Sequence, residues 1–140
     1  MARAKLEIVA ARHPGSLVLA ADSVVAVGRR ILPKAESESD ARSCLALLSG
    51  RRHKVLGGIA VSARGRVRTR LVETAVRFKK LEQREIDAYV LSGEWQGKAG
   101  GYAIQGRAAT FVSFLSGSYS NVVGLALFET SALLRSLDQP

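Results

Sequence analysis

The run Leu17-Val18-Leu19-Ala20-Ala21, interrupted by Asp22-Ser23 and resumed by Val24-Val25-Ala26-Val27, dominates any structural reading of this chain. Such β-branched density without polar alternation predicts a strand buried on both faces and central in a sheet. A carboxylate inside that pattern costs several kcal/mol unless something compensates it. For Asp22 a metal, a cation or a catalytic role would each do so, and so would backbone hydrogen bonds accepted by an Asp in a strand-end loop. The residues alone leave both readings open. Position favours a site: ligands in α/β sheets gather at the carboxyl ends of strands, and the strand Leu17 to Ala21 is expected to end at Asp22.

The surrounding pattern supplies the other layers. Residues Ala2 to Arg12 read as a helix, with Leu6 and Val9 three apart and Pro14-Gly15 ending it. Gly28-Arg29-Arg30 reads as a turn. Ser37 and Asp40 form a capping-box pattern before Ala41, Cys44, Leu45 and Leu48, which repeat at helical spacing until Gly50. Val55 to Val61 and Val67 to Phe78 are expected to form a hairpin across Ala63-Arg64-Gly65-Arg66. A helix from about Gln83 to Leu91 carries Ile86, Tyr89 and Val90 on one face and stops at Ser92-Gly93. One strand, Thr110 to Leu115, is expected in the glycine-rich and serine-rich stretch before Gly124. A last helix, about Leu125 to Leu137, would turn Leu127, Phe128, Leu134 and Leu137 to the core. With no internal repeat and no linker, 140 residues read as one α/β or α+β domain with a mixed sheet.

Charge and cysteine content narrow the partners. The 21 Lys+Arg against 12 Asp+Glu leave a net charge of +9, which favours anionic partners, although an arginine-rich coding bias would give the same surplus. The single Cys44 excludes an intrachain disulfide, and with His13 and His53 it provides no zinc-site spacing. Neither a signal-peptide h-region nor a membrane-length apolar stretch occurs, so the expectation is a soluble cytoplasmic protein without membrane partners. The basic runs Arg29-Arg30, Arg51-Arg52 with His53-Lys54, and Arg64 through Arg70 read as solvated turns and an exposed strand face. Because no aromatic residues interleave with them, nucleic-acid binding is not expected. His53 reads as a polar strand-entry residue.

A second candidate cluster runs Gly97-Lys98-Ala99-Gly100-Gly101-Tyr102-Ala103-Ile104-Gln105-Gly106-Arg107. Its glycines would let backbone N–H groups approach an anion, Lys98 supplies a point charge, and Gln105 offers donor and acceptor atoms suited to a base edge. The spacing is neither a Walker loop nor a dinucleotide fingerprint, and tight turns alone would also explain it. Lys34, between Pro33 and Ala35, follows the strand of Asp22, and chain return would bring it near that carboxylate.

Four ordered stretches, Leu19-Ala20-Ala21-Asp22-Ser23-Val24-Val25, Leu48-Ser49-Gly50-Arg51-Arg52-His53, Lys98-Ala99-Gly100-Gly101-Tyr102-Ala103-Ile104-Gln105-Gly106 and Gly117-Ser118-Tyr119-Ser120-Asn121-Val122-Val123-Gly124-Leu125, closely resemble the Maf family of nucleoside triphosphate pyrophosphatases. The resemblance covers essentially the whole chain. It implies the Maf/ITPase-like α/β fold, a mixed sheet with flanking helices around a central cleft. It also implies a divalent metal (Mg²⁺ or Mn²⁺) and a nucleoside triphosphate substrate cut between the α- and β-phosphates. Lys-Ala-Gly, Tyr and Ile-Gln-Gly resemble the branch acting on dTTP and UTP. By matching motif positions, the resemblance implies that Asp22 is the proton acceptor and a metal ligand, that Lys34 and Lys98 contact phosphate, and that Ser23 and Gln105 bear on base selectivity.

Departures from the family pattern carry expectations of their own. Ser23 stands where Thr is usual, Ala35 where Pro usually follows the lysine, and Ala126 where Pro commonly follows Gly-Leu, so a rotamer, a turn and a helix start are all loosened. The family's opening strand and Ser-x-Ser-Pro-Arg-Arg phosphate loop have no counterpart, which amounts to roughly 50 to 60 residues of a typical member. On that basis the chain as written is expected to turn over little substrate. An uncovered sheet edge would leave it aggregating or pairing as a homodimer, and a protein-binding remnant is the alternative to an enzyme.

Overall fold

The structure is a computed structural model and describes residues 2–13 and 15–138. In chain order the elements are α1 (Ala2–Arg12), β1 (Val18–Val27), β2 (Arg30–Leu32), α2 (Glu38–Leu48), β3 (Arg52–Ala63), β4 (Arg66–Phe78), α3 (Gln83–Ser92), a 3-10 turn (Arg107–Phe111), β5 (Val112–Ser116), α4 (Tyr119–Val123) and α5 (Leu127–Leu137). The strands form one open sheet in the order β2-β1-β3-β4-β5. This is the α/β architecture with flanking helices expected from the sequence. Two compact units divide the chain, one of Met1–Ser23, Leu56–Glu73 and Ser118–Pro140, the other of Val24–Val55 and Thr74–Gly117.

In the first unit, α1 lays Ala2 and Leu6 on Val18 and Ala60. Pro14, expected to end α1 together with Gly15, lies outside the described residues. β3 and β4 meet at a two-residue turn in which Arg64 and Gly65 both have positive φ, 54° and 76°, as a tight hairpin following the strand twist requires. A second apolar cluster joins Ile59, Val61 and Val72 to Ala126 and Leu137, with Leu133 and Leu134 packed against it. The last helix therefore docks through Thr130, Leu133, Leu134 and Leu137. Leu127 and Phe128, expected inside, are 62% and 74% exposed. Phe128 shares the solvent face of Ser131 and Arg135, and Leu127 stands in the first turn at the end of the buried stripe.

α4 was not legible in the Gly/Ser-rich stretch, yet its logic is local. Ser118 caps it by accepting from Asn121 N at 3.1 Å, and Ser120 Oγ accepts from Leu127 N at 2.9 Å, tying α4 to the start of α5. Asn121 is buried and donates through Nδ2 to Val72 O at 3.1 Å. Its amide presses so closely on β3 that a Cβ on Gly57 would overlap Asn121 Oδ1.

In the second unit, β1 and β2 pair antiparallel with Val27 opposite Arg30, so Arg30 begins a strand where the turn had been extended over it. Ser37 caps α2 by accepting from Asp40 N at 3.1 Å. The reciprocal bond of the expected box lands one residue early, from Glu36 N to Asp40 Oδ2 at 3.1 Å. Ala41, Cys44, Leu45 and Leu48 are buried as the periodicity predicts. α3 is capped by a reciprocal Glu82/Glu85 box and ends at Gly93, φ 73°. β5 starts at Val112, because Thr110 and Phe111 are held in the 3-10 turn by bonds such as Thr110 Oγ1 to Arg107 O at 2.8 Å.

His53 stands at the entrance of β3, as its second residue, and its side chain is buried in the core of this unit. It is 1% exposed, shares a 2.6 Å hydrogen bond between Nε2 and Tyr102 Oη, and meets Phe78 and Tyr102 edge-on. Burial lowers its pKa to about 4 and pushes the Tyr102 phenol up. Nδ1 has no hydrogen-bond partner among the described residues, so a proton there would create a buried unpaired donor. Because the folded pKa lies below the unfolded value near 6.5, the unfolded chain binds more protons between those limits. The neutral-His contribution is thus complete above about pH 6.5 and is lost as pH falls toward 4, by about 3 kcal/mol. Urea unfolding at pH 7.0 and 4.5 should show this loss, and His53→Phe should remove that part of the pH dependence; an identical pH profile in the variant would refute it.

Candidate functional site

Asp22 occupies the interior of β1, not its end: the strand runs on through Ser23 to Val27. Nor is β1 buried on both faces. Leu19 is 43% exposed and the residues from Ala20 to Val24 are half-buried, although the strand is interior to the sheet as expected. The Asp22 side chain itself is 11% exposed, and two donors converge on its Oδ1. Lys5 Nζ of α1 stands at 3.3 Å and the Ser23 backbone N–H donates at 3.0 Å. Oδ2 has no partner among the described residues. One carboxylate oxygen is therefore anchored and the other is available to a proton or a ligand, an arrangement suited to a general base. Sequence spacing alone does not single out Lys5. Its signal was faint: it stands three residues from the buried Ala2 and beside the buried Leu6, at the edge of the helix face that packs on the sheet.

Within the second unit, Lys34 and Lys98 are brought together by backbone pairing. Lys34 bridges Ala99 in antiparallel register, Ala35 N donates to Lys98 O at 3.0 Å, and Gly97 N donates to Ala35 O at 2.9 Å. Both lysines are exposed and form no ion pair among the described residues. Gln105 is exposed as well, beyond the buried Tyr102 and Ile104 that anchor its loop. The glycine amides are not an anion cradle. Gly97, Gly100 and Gly101 donate to Ala35, Pro33 and Lys98 carbonyls at 2.9, 3.1 and 2.9 Å, so the tight-turn reading of these glycines holds and the side chains carry the charge. Gly100 has φ 71° and lies against Val25, where a Cβ would stand 3.0 Å from Cγ1, so a side chain here is strained by the backbone and must push Val25 aside.

Two other motif stretches turn out to be architectural. Ser49 Oγ accepts from Leu81 N at 2.7 Å and Gly50 N donates to Lys79 O at 3.0 Å, which closes the corner before β3, while Ser118 to Leu125 builds the α4 corner. Among the described residues no three His, Cys, Asp or Glu side chains gather as a metal cage, and no helix is long and apolar enough to cross a membrane.

The chain matches the Maf family, described as Maf-like protein, over residues 1–137. It belongs to that family. It is 64% identical over 96% of its length to the dTTP/UTP pyrophosphatase of Paramagnetospirillum magneticum, 62% over 98% to that of Caulobacter vibrioides, and 62% over 96% to that of Rhodospirillum rubrum. The matched part spans 71%, 72% and 64% of those relatives' own lengths.

Proposed function

We propose that this chain hydrolyses the α–β phosphoanhydride bond of dTTP and UTP in the cytoplasm, releasing the nucleoside monophosphate and pyrophosphate. The observation that carries the reading is the Asp22 carboxylate, nearly buried and held at Oδ1 by Lys5, in a chain more than 60% identical to relatives named dTTP/UTP pyrophosphatase. Asp22 Oδ2 accepts a proton from the attacking water, while Lys5 and the Ser23 amide fix the carboxylate's orientation. Lys34 and Lys98 offset the charge that develops on the leaving pyrophosphate. Gln105 pairs with the pyrimidine edge and the Ser23 hydroxyl assists base selection. A purine then leaves polar atoms unpaired and loses more than any methyl contact would supply.

A divalent cation fits this donor set in a restricted way. With no protein cage among the described residues, Asp22 would give one carboxylate oxygen and the substrate phosphates and water the rest, the coordination Mg²⁺ favours. When bound, it supplies charge neutralisation at the phosphates.

The test uses this chain, and a fusion adding the N-terminal segment of the Paramagnetospirillum relative, each incubated with dTTP and Mg²⁺ or Mn²⁺. Release of dTMP and pyrophosphate is expected, slow from the chain alone and faster from the fusion, which is then the active form; dTDP and orthophosphate as first products would overturn the reading. In the active form, Gln105→Ala should erode discrimination between pyrimidine and purine triphosphates more than it weakens binding of either. Uniform loss across all bases would make Gln105 a loop residue without a role in selectivity.

A further inference from the structure

On the face of the second unit opposite Tyr102, two arginines lie together without counter-charge. Arg52 of β3 and Arg77 of β4 line a concavity of about 440 Å³ with Ser113 and Phe114 of β5. Alternation puts them there, since their neighbours His53 and Phe78 point to the other side and contact Tyr102. The face is therefore separate from the Lys34–Lys98 segment, which joins the core through Tyr102.

Three features of this concavity bear on what it can hold. The first is electrostatic: like charges side by side on a sheet are destabilising. Arg3, Arg42, Arg84 and Arg107 pair with Glu7, Asp87, Glu82 and Glu94; Arg52 and Arg77, like Arg29, Arg30 and Arg70, have no acid partner among the described residues, and these two line one concavity. Next is backbone geometry: Arg77 pairs with Phe114 but Phe78 with Val112, so a bulge leaves Ser113 unpaired in the ladder. That extra residue lets both Ser113 and Phe114 line the same concavity, and bulges recur where a side chain is re-aimed at a ligand. Last, the Phe114 ring is 49% exposed and the Arg52 guanidinium lies 5.9 Å from its centroid, so a cation and an aromatic face are presented side by side.

We infer that Arg52, Arg77, Ser113 and Phe114 form a second anion site for a ligand carrying two adjacent phosphoryl groups. Each guanidinium fork holds one phosphoryl group bidentately, the Ser113 hydroxyl donates to Arg77 O at 3.2 Å and so ties β5 to the strand that carries Arg77, and Phe114 offers a stacking face to a base where the ligand has one. Free pyrophosphate and a nucleoside diphosphate share this chemistry, and the ring separates them.

The site is read by NMR at low ionic strength, following the side-chain Nε–Hε signals of Arg52 and Arg77 during titration with inorganic pyrophosphate and, separately, with a nucleoside diphosphate. A Lys34→Ala/Lys98→Ala background removes the lysines of the proposed catalytic site, so failure here is distinct from failure of the pyrophosphatase reading. Saturable shifts of both arginines are expected, with affinity falling roughly tenfold for each of Arg52→Gln and Arg77→Gln. Tighter binding of the nucleotide that is lost in Phe114→Ser identifies a nucleotide as the ligand. Equal binding of both probes identifies the free anion. Absence of saturable shifts in the unaltered arginines, or binding undiminished in the double Gln variant, overturns the inference.

Discussion

Asp22→Asn is expected to lower dTTP turnover roughly 10²-fold or more in the active form while leaving nucleotide binding nearly intact. Asn keeps the size of the side chain and one oxygen that can accept from the Ser23 N–H, but it cannot take a proton from water. The Lys5 contact should weaken with loss of the negative charge, so any binding change is a small secondary effect. Lys5→Met tests the division of labour: the rate should fall with little change in nucleotide affinity, because Lys5 acts through the carboxylate it holds. An Asp22→Asn enzyme retaining nearly full turnover would move the base elsewhere.

The largest stability effect is expected from Gly57→Ala. A methyl at that position overlaps the Asn121 amide, which is buried and bonded to Val72 O, so the clash displaces a satisfied polar group as well as the packing around it. Overpacking and an unpaired buried amide together amount to roughly 3 to 5 kcal/mol. Denaturant unfolding of Gly57→Ala, Asn121→Ala and the double variant checks this. The double should lose much less than the sum of the singles, since removing the amide removes the clash. Strict additivity would mean that Gly57 and Asn121 are not the coupled pair the geometry describes.

How far the sequence carried this account follows from which forces are local. α2, α3 and the β3–β4 hairpin were legible because caps, 3.6-residue spacing and turn residues sit next to each other in the chain. The fold class followed from those elements, and the motif residues placed Asp22, Lys34, Lys98, Ser23 and Gln105 among the candidates. What stayed hidden depends on tertiary choice. Whether Phe128 faces inward is set by where α5 docks, not by its own apolarity. That Asp22 lies within a continuous strand, anchored by a lysine seventeen positions earlier, needs α1 to be folded onto β1. Phe114 meets Arg52 only across strands, so the absence of aromatic interleaving in the basic runs was true of the sequence and uninformative about the surface.

The glycine-rich segment teaches a similar lesson. From sequence, repeated glycines were compatible with an amide cradle or with tight turns, and the two differ in where the N–H groups point. In the folded chain those donors are consumed by Pro33, Ala35 and Lys98 carbonyls, so in the proposed function the phosphate contacts there are assigned to the Lys34 and Lys98 ammonium groups rather than to the glycine amides.

The central claim, that Asp22 directs water at the α-phosphorus of a pyrimidine triphosphate, is tested most directly by turnover of dTTP in ¹⁸O-water followed by mass analysis of both products. The account predicts one ¹⁸O atom in dTMP and none in pyrophosphate. Label in the pyrophosphate, meaning attack at the β-phosphorus, would contradict it.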